Sequence, residues 1–272
     1  MGRLASQGCK SIATIVRFIS DPLSAPGQPA KALFAMVSPY QLLVQQRKLC
    51  QLCHGLCNPS HSSHAHYDSE EIGPWSRWQA TIPAELMIVG QDWGDVSYYV
   101  SHEGLNQHTG NPTNENLQKL LASIGLDPGN PAQPNIASLF FTNFVLCLKE
   151  AKGLQGKVQE SWFNNCGTYF FKDLVKIVSP HAIVALGACA SRAILKCYDI
   201  PLRSKSFKQL VSASPIYLGN YGPMLFPVYH CGARGVNINR SLKNQLEDWR
   251  MIGKWLEQAR LTANSKGARV SD

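Results

Sequence analysis

The sequence predicts an α/β fold, a three-layer α/β/α sandwich whose central, mostly parallel sheet has four strands. Three observations predict this class. Short apolar runs alternate with longer amphipathic segments, which is typical of parallel strands joined by covering helices. A chain of 272 residues is long enough for one sizeable core. With 16% charged residues, and no apolar run near the roughly 20 residues of a membrane span, the composition excludes wholesale disorder and predicts no membrane segment.

Four apolar runs are the predicted strands. The run ELMIVG at 85–90 ends in glycine, and SLFFTNFVL at 138–146 is rich in aromatic and β-branched residues. The run AIVALG at 182–187 follows a Ser-Pro pair, and MLFPVYH at 224–230 completes the set. Because ligands bind beyond the carboxyl ends of strands in such sheets, the residues that follow these runs are the candidates for chemistry.

Four segments are the predicted helices. Residues 114–126 place leucines at helical spacing and end at a glycine, and residues 158–178 carry aromatic and aliphatic residues that suit one long helix. A helix over 188–198 directly follows the third strand. The amphipathic segment 240–259 predicts a closing helix.

The ends of the chain are predicted to lie outside the main folded domain, which we place at residues 46–262. Residues 1–45 form a basic, partly ordered extension, and residues 263–272 form a flexible tail. The acid-poor first segment also resembles an organelle transit peptide, or reflects a start codon upstream of Met36. It has no apolar block with a cleavage site, so a secretory signal is not predicted.

The formal net charge of +8 predicts a polyanionic partner, and DNA is the partner we expect. Nine cysteines are too few for a disulfide scaffold of this length and are odd in number. A reducing cytoplasm therefore fits the chain better than secretion. We expect a monomer, since the protein must approach DNA.

Three polar side chains follow predicted strands and should meet at one crevice. Asp92 comes after the first strand, Asn143 lies near the end of the second, and His230 ends the fourth. A carboxamide can read the edge of a pyrimidine, a carboxylate can position water or stabilise a cationic sugar, and an imidazole can donate a hydrogen bond to an anionic leaving group. Taken singly, the asparagine is more often structural and the aspartate is more often a helix cap.

Four segments in this order resemble the uracil-DNA glycosylase superfamily: IVGQDWGD at 88–95, FTNFVLC at 141–147, HAIVALGACA at 181–190 and VYHCG at 228–232. The Thr-Asn strand that leads into a cysteine, and the run TGNPTNENLQKLL at 109–121, are closest to the iron–sulfur, family 4-like branch. The resemblance covers about residues 46–260.

The resemblance implies a role for each residue at the crevice. Asp92 would position or activate the attacking water, and Gly90 and Gln91 would contact the base. Asn143 would read the pyrimidine edge, and His230 would stabilise the departing base anion. The substrate nucleotide would have to flip out of the DNA stack.

Four cysteines predict a metal site. Cys50 and Cys53 form a CxxC pair, and with Cys147 and Cys166 they could hold a [4Fe–4S] cluster or a zinc ion. The resemblance matches these four to the cluster ligands of the iron–sulfur branch, where the cluster is structural. Cys57 is a substitute ligand and His54 a weaker one. The alternative is that all are buried thiols.

Some positions depart from the family pattern and bear on the substrate. Trp93 replaces a Pro, and Gly94 replaces a Tyr that excludes a methyl group at pyrimidine C5. Thr113 replaces an aromatic residue that stacks on the base. Trp93, Tyr98 or Tyr99 could stack instead. These changes suggest the hypothesis of a bulky 5-modified cytosine as substrate, with a role in defence against phage.

The final motif HCG replaces His-Pro-Ser, and Arg234 and Arg240 follow it as candidates for phosphate contacts, or as ordinary solvated arginines. A DNA- or lesion-binding module without catalysis is the main rival function. A nucleotide-binding enzyme with a zinc site is more distant, since no GxGxxG or P-loop sequence is present. No lysine occupies an obvious nucleophile position, so a Schiff-base lyase step is not expected.

Overall fold

The structure, a computed structural model, describes residues 37–104, 110–150, 158–202, 206–219 and 222–267. Most of the predicted N-terminal extension and residues 268–272 of the predicted tail lie outside these residues. The described residues from Val37 onward belong to one compact unit. The predicted boundary at residue 46 falls inside a helix of that unit, and the helix at its other end continues to Gly267.

A five-stranded sheet forms the centre of this unit. Its strands are β1 (Leu86–Gly90), β2 (Leu139–Asn143), β3 (Ala182–Leu186), β4 (Ile216–Tyr217) and β5 (Met224–Val228). Their spatial order is β2-β1-β3-β5-β4, and all neighbours are parallel except β4 and β5.

The four predicted strands are all present, and β4 is a fifth that the sequence analysis did not predict. This strand has two residues, and its Tyr217 is exposed. A segment that is short and half-exposed gives no apolar run, so the predicted count of four was wrong by this edge strand.

Helices cover both faces of the sheet. Those with regular α geometry are α1 (Pro39–Leu49), α2 (Val96–Ser101), α3 (Pro112–Ala122), α4 (Glu160–Cys166), α5 (Lys172–Val178), α6 (Ala188–Cys197), α7 (Phe207–Ser212) and α8 (Leu242–Gly267). The π turn Gly167–Phe171 joins α4 to α5, so the helix predicted over 158–178 is continuous but contains a bulge. A second π turn spans Gly235–Asn239.

Alternation along the strands divides the core between the two faces of the sheet. Met87 and Val89 of β1 pack in one apolar cluster with residues of α1, α4, α5 and α6. Leu86 and Ile88 pack in the other, with residues of α3 and α8. Because successive side chains of a strand point to opposite faces, this division confirms the predicted three-layer architecture.

Several short elements complete the fold. The strand Leu56–Cys57 pairs antiparallel with Leu148–Lys149, and Gly129–Asn130 pairs with Gln133–Pro134. Single 3-10 turns are formed by Pro59–His61, Ala65–Tyr67 and Pro74–Arg77. No helix within the described ranges is long and apolar enough to cross a membrane.

Candidate active site and cysteine cavity

Asn143 lies across the end of the neighbouring strand. Its Cα pairs in register with that of Gly90, the last residue of β1. A Cβ atom on Gly90 would lie 2.2 Å from Asn143 Oδ1 and 3.1 Å from Cζ3 of Trp75. Glycine is therefore required here because the Asn143 carboxamide occupies the space that any side chain would take.

The Asn143 carboxamide is buried, with 9% of the residue exposed. Its side chain makes no hydrogen bond to protein within the described part of the chain. The Thr142 hydroxyl donates to its backbone carbonyl. An amide that is buried without a partner loses free energy, so a group of this kind is typical of a ligand-reading position.

Asp92 is held by three donors, two from its own loop and one from a distant segment. Its Oδ2 accepts from Gln91 Nε2 at 2.6 Å, and its Oδ1 accepts from the Gly94 N–H at 2.7 Å. The Lys149 ammonium lies 3.2 Å from Oδ1 and 3.4 Å from Oδ2. With 7% of its side chain exposed, this carboxylate is a buried and fixed negative charge.

His230 follows β5 and has a defined tautomer. The Gly232 N–H donates to its Nδ1 at 3.0 Å, so Nδ1 is the acceptor of a neutral ring and Nε2 carries the proton. Desolvation by the surrounding protein lowers the pKa of His230 below 6.5, and the negative charge of Asp92 opposes this shift. The ring is exposed to solvent in part and is neutral at physiological pH, with Nε2–H available to donate.

The first turn of α3 docks beside His230. Thr113 Oγ1 lies 2.9 Å from the position that a Gly232 Cβ would take, and the carbonyl of Thr113 accepts from the Cys231 thiol. Asn116 Nδ2 donates to the Cys231 carbonyl at 2.7 Å. The predicted substrate-binding residue Thr113 is thus brought to the same mouth as the predicted catalytic imidazole.

The structure therefore brings the three predicted catalytic side chains to one edge of the sheet. Asn143 lies over Gly90, which is two residues before Asp92, and the charge of Asp92 acts on His230. Asp92, Asn143 and His230 therefore form the candidate active site.

Trp93 and Gly94 have structural explanations that the sequence analysis did not foresee. The Trp93 indole packs on Gly73, with the Arg47 guanidinium 5.8 Å from its ring, in a small core with Tyr99. Gly94 has a φ of +91°, which favours glycine whatever the space around it. The glycine at position 94 is thus explained by the turn in which its N–H donates to Asp92, and the absence of a side chain here does not indicate a wider pocket.

Tyr98 is the aromatic candidate that lies closest to the start of α3. Its hydroxyl accepts from Asn111 Nδ2 at 3.3 Å, and its ring packs against His102 at 4.2 Å between centroids. Asn111 caps α3 by accepting from the N–H groups of Thr113 and Asn114. Tyr98 is therefore placed near the mouth, whereas Trp93 and Tyr99 are buried in the small core.

The two arginines predicted to contact DNA differ in their surroundings. Arg234 is exposed. Arg240 forms a two-pronged ion pair with Asp248 at 2.6 and 2.7 Å, and its guanidinium lies 5.9 Å from the Tyr229 ring. The structure favours a structural role for Arg240, because its charge is already matched by a carboxylate.

A comparison with protein families decides the relationship. A family model described as the uracil DNA glycosylase superfamily matches residues 79–252, well over half of the chain. The chain belongs to the uracil DNA glycosylase superfamily. The match contains Asp92, Asn143 and His230.

One curated relative of the superfamily is a type-5 uracil-DNA glycosylase from Pyrobaculum aerophilum. It is 25% identical to this chain over 182 residues, which cover 61% of this chain and 72% of the relative. The family match confirms the resemblance inferred from the sequence motifs. The relative carries a type-5 name, so the family 4-like branch remains a prediction.

The four cysteines predicted to bind metal line one cavity of about 240 Å³. Cys50 and Cys53 follow α1, Cys147 precedes the short strand Leu148–Lys149, and Cys166 ends α4. Cys57 also lines the cavity. The exposed His54 does not, whereas His61, which the sequence analysis did not single out, does.

The thiols of this cavity are close enough to affect one another. Burial raises the pKa of Cys50, Cys147 and Cys166, that of Cys166 to about 12, and the charges of neighbouring cysteines raise each further. Asn165 Nδ2 donates to Cys53 Sγ at 3.3 Å. Ionising several thiols here without a cation would be costly, so the donor set fits a positively charged group bound by thiolates.

The sulfur atoms surround the cavity rather than meet at one point. In the part of the chain that the structure describes, no three His, Cys, Asp or Glu side chains are close enough to hold a single metal ion. The eight cysteines within the described ranges are free thiols.

Lys149 is the functional candidate that the sequence analysis missed. It is 3% exposed and forms the ion pair with Asp92. Its position two residues after Cys147 gives no sequence signal, because a lysine between two strand-like segments is ordinarily exposed.

Proposed function

We propose that this member of the superfamily hydrolyses the N-glycosidic bond of a uracil or modified pyrimidine flipped out of DNA, leaving an abasic site. One observation carries the proposal. A buried carboxamide and an imidazole N–H, both without a protein partner among the described residues, lie at one sheet edge beside a fixed carboxylate. A donor–acceptor group, a leaving-group donor and a negative charge are the three functions that this hydrolysis needs.

The reaction assigns one task to each side chain. The Asn143 carboxamide donates to and accepts from the edge of the flipped pyrimidine. As the bond from C1′ to the base nitrogen breaks, its electron pair leaves with the base, and His230 Nε2–H donates to the base oxygen that becomes anionic. The Asp92 carboxylate stabilises the positive charge that develops on the sugar. Water adds its oxygen to C1′ and gives its proton to solvent, and the released base anion takes up a proton from solvent.

The surface beside His230 supports contact with DNA. Arg234 is exposed three residues after a buried cysteine of the HCG motif, and Ile238, in the π turn Gly235–Asn239, is 71% exposed. An arginine suits a phosphate, and an exposed aliphatic side chain suits insertion between base steps. We propose that the protein acts on DNA as a monomer. Its free thiols fit a reducing compartment.

We also propose that Cys50, Cys53, Cys147 and Cys166 hold a [4Fe–4S] cluster. A cluster bonds each cysteine to a different iron and fills a cavity, whereas zinc needs four sulfurs within roughly 2.3 Å of one ion. When bound, the cluster would connect the segment after α1 to the rest of the domain. A broad visible absorbance that is lost in Cys147→Ser would support it, and a colourless protein with one bound zinc would contradict it.

The substrate test uses a panel of oligonucleotides that contain uracil, 5-hydroxymethyluracil, hypoxanthine or glucosylated 5-hydroxymethylcytosine, with abasic sites revealed by alkaline cleavage. We expect release of at least one pyrimidine. We expect Asp92→Ala to slow this release while leaving DNA binding largely intact. Asn143→Ala should reduce both rate and discrimination.

The outcomes of the panel separate the competing functions. Release of the glucosylated cytosine alone would favour a role in defence against phage, and release of uracil alone would end that hypothesis. Salt-sensitive DNA binding with no abasic product on any substrate would contradict the proposal and favour a binding module.

A further inference from the structure

The ion pair between Lys149 and Asp92 is buried on both sides. The lysine side chain is 4% exposed and the aspartate side chain 7%. Taking two charges out of water is costly, and such a pair is retained where its geometry serves a purpose or where removing one partner would strand the other. The partner here is the carboxylate at the centre of the candidate active site.

The backbone of Lys149 is fixed from two sides. It pairs with Leu56 across the short antiparallel strands, and it forms a parallel bridge with Asp95 in which its N–H donates to the Gly94 carbonyl at 2.9 Å. Gly94 and Asp95 belong to the loop that follows Asp92. The lysine therefore cannot shift without moving the same loop that carries the carboxylate.

The donors around Asp92 leave the carboxylate little freedom to turn. Gln91 and Gly94 each donate to one oxygen, and the Lys149 ammonium lies between 3.2 and 3.4 Å from both. Gln91 is also a candidate base contact, so its side chain has a second use when substrate is bound. Lys149 is not a candidate base contact, so its ion pair with Asp92 does not compete with substrate binding.

We propose that Lys149 is a positioning residue for the glycosylase reaction: it holds the Asp92 carboxylate in place through the buried ion pair while the base is released. This inference rests on the proposed function of Asp92. It goes beyond the family resemblance, whose motif in this region ends at Cys147, two residues before the lysine.

A Schiff-base role for Lys149 is disfavoured by the same contacts. That chemistry needs a neutral amine that reaches C1′ of the sugar and expels the base as the C–N bond forms. The Lys149 amine is buried behind the carboxylate and paired with it. Borohydride trapping of DNA that depended on Lys149 would therefore overturn the positioning role.

The test is a double-mutant cycle on the rate of base release under single-turnover conditions. Lys149→Met should lower the rate by about 10- to 100-fold, as loss of an orienting partner does at other sites, with little change in DNA affinity. Lys149→Arg keeps the charge and should recover part of the loss. In the Asp92→Asn background, Lys149→Met should change the rate by less than about twofold, because its target charge is gone.

Two further readouts keep the inference separable from misfolding and from the proposed function. In thermal unfolding, the double variant should be more stable than Lys149→Met alone, since the stranded carboxylate has been neutralised. The exposed pair of Lys176 with Asp173 provides the control, and Lys176→Met should change neither rate nor unfolding. Equal, additive losses in rate in both backgrounds would overturn the inference. A wild-type protein that is inactive on every substrate would contradict the proposed function. In that case the double-mutant cycle on thermal unfolding would still confirm or refute the ion pair between Lys149 and Asp92.

Discussion

Replacing Gly90 by alanine tests how the site reads a base, because it displaces the Asn143 carboxamide and leaves the Asp92 and His230 side chains in the sequence. The new Cβ would lie 2.2 Å from Asn143 Oδ1, whereas ordinary contacts begin at 3.4 Å. The backbone of Gly90 is regular β-strand and not in the left-handed region, so alanine fits its conformation. The perturbation is therefore steric and falls on Asn143.

The size of the expected effect follows from that clash. The Asn143 carboxamide must retreat by about 1 Å or turn away, and a displacement of that size in a positioning group costs roughly 100-fold in rate. The Cζ3 atom of Trp75 at 3.1 Å closes the other side, so overpacking should also lower the free energy of unfolding by about 1–3 kcal/mol. The fall in rate should come with reduced discrimination between pyrimidines.

The assay is single-turnover base release at saturating enzyme, measured beside the equilibrium affinity for the same DNA. Gly253→Ala in α8 is the matched control. Its new Cβ would lie 3.0 Å from Ile124 Cγ2, away from the sheet edge. This control should lose stability and keep its rate. A Gly90→Ala protein that released bases within twofold of the wild-type rate, or slowed only as much as the control, would refute the assignment of Asn143.

Two other predictions concern charge. The rate of base release should be constant above pH 6.5 and fall only as the pH drops through the lowered pKa of His230, because the neutral ring is the required form. The same pKa shift should lower the free energy of unfolding as the pH drops below about 6.5, because the unfolded chain binds the proton first. A rate that rose on acidification, measured as a pH–rate profile and flattened in His230→Gln, would contradict this. Arg234→Ala should weaken DNA binding and reduce the salt slope by about one, measured by titration at several salt concentrations. Arg240→Ala should leave that slope unchanged and should lower the melting temperature, because its ion pair with Asp248 is lost. A reduced slope in Arg240→Ala with an unchanged slope in Arg234→Ala would contradict this assignment.

The sheet and its main helices could be predicted from the sequence because their signals are local. The five residues of each of β1, β2 and β3 are all buried, so the strands are continuous apolar runs. Parallel strands end at one edge, and this rule alone placed Asp92, Asn143 and His230 together.

Other features could not be predicted because they depend on contacts between distant segments. Helix α1 has a capping box at Ser38 and Gln41, but it lies in a stretch whose basic composition favoured an extension. Its Arg47 is fully buried by an ion pair with Asp68 twenty-one residues later, which no local pattern reveals. The side of the loop on which Trp93 packs is decided by the space above Gly73.

Lys149 shows most clearly why residue types alone are insufficient. The short pairing of Leu56 with Lys149 joins the segment that carries Cys53 and Cys57 to the loop that carries Asp92. A lysine is rarely buried unless it is paired with an opposite charge. The carboxylate that pairs with Lys149 lies fifty-seven residues earlier in the chain. Because Cys147 lies two residues before this lysine on the same extended segment, whatever fixes the cysteine cavity also fixes the cation that holds Asp92. Residues 147–149 therefore line the cysteine cavity at one end and contact the Asp92 carboxylate at the other.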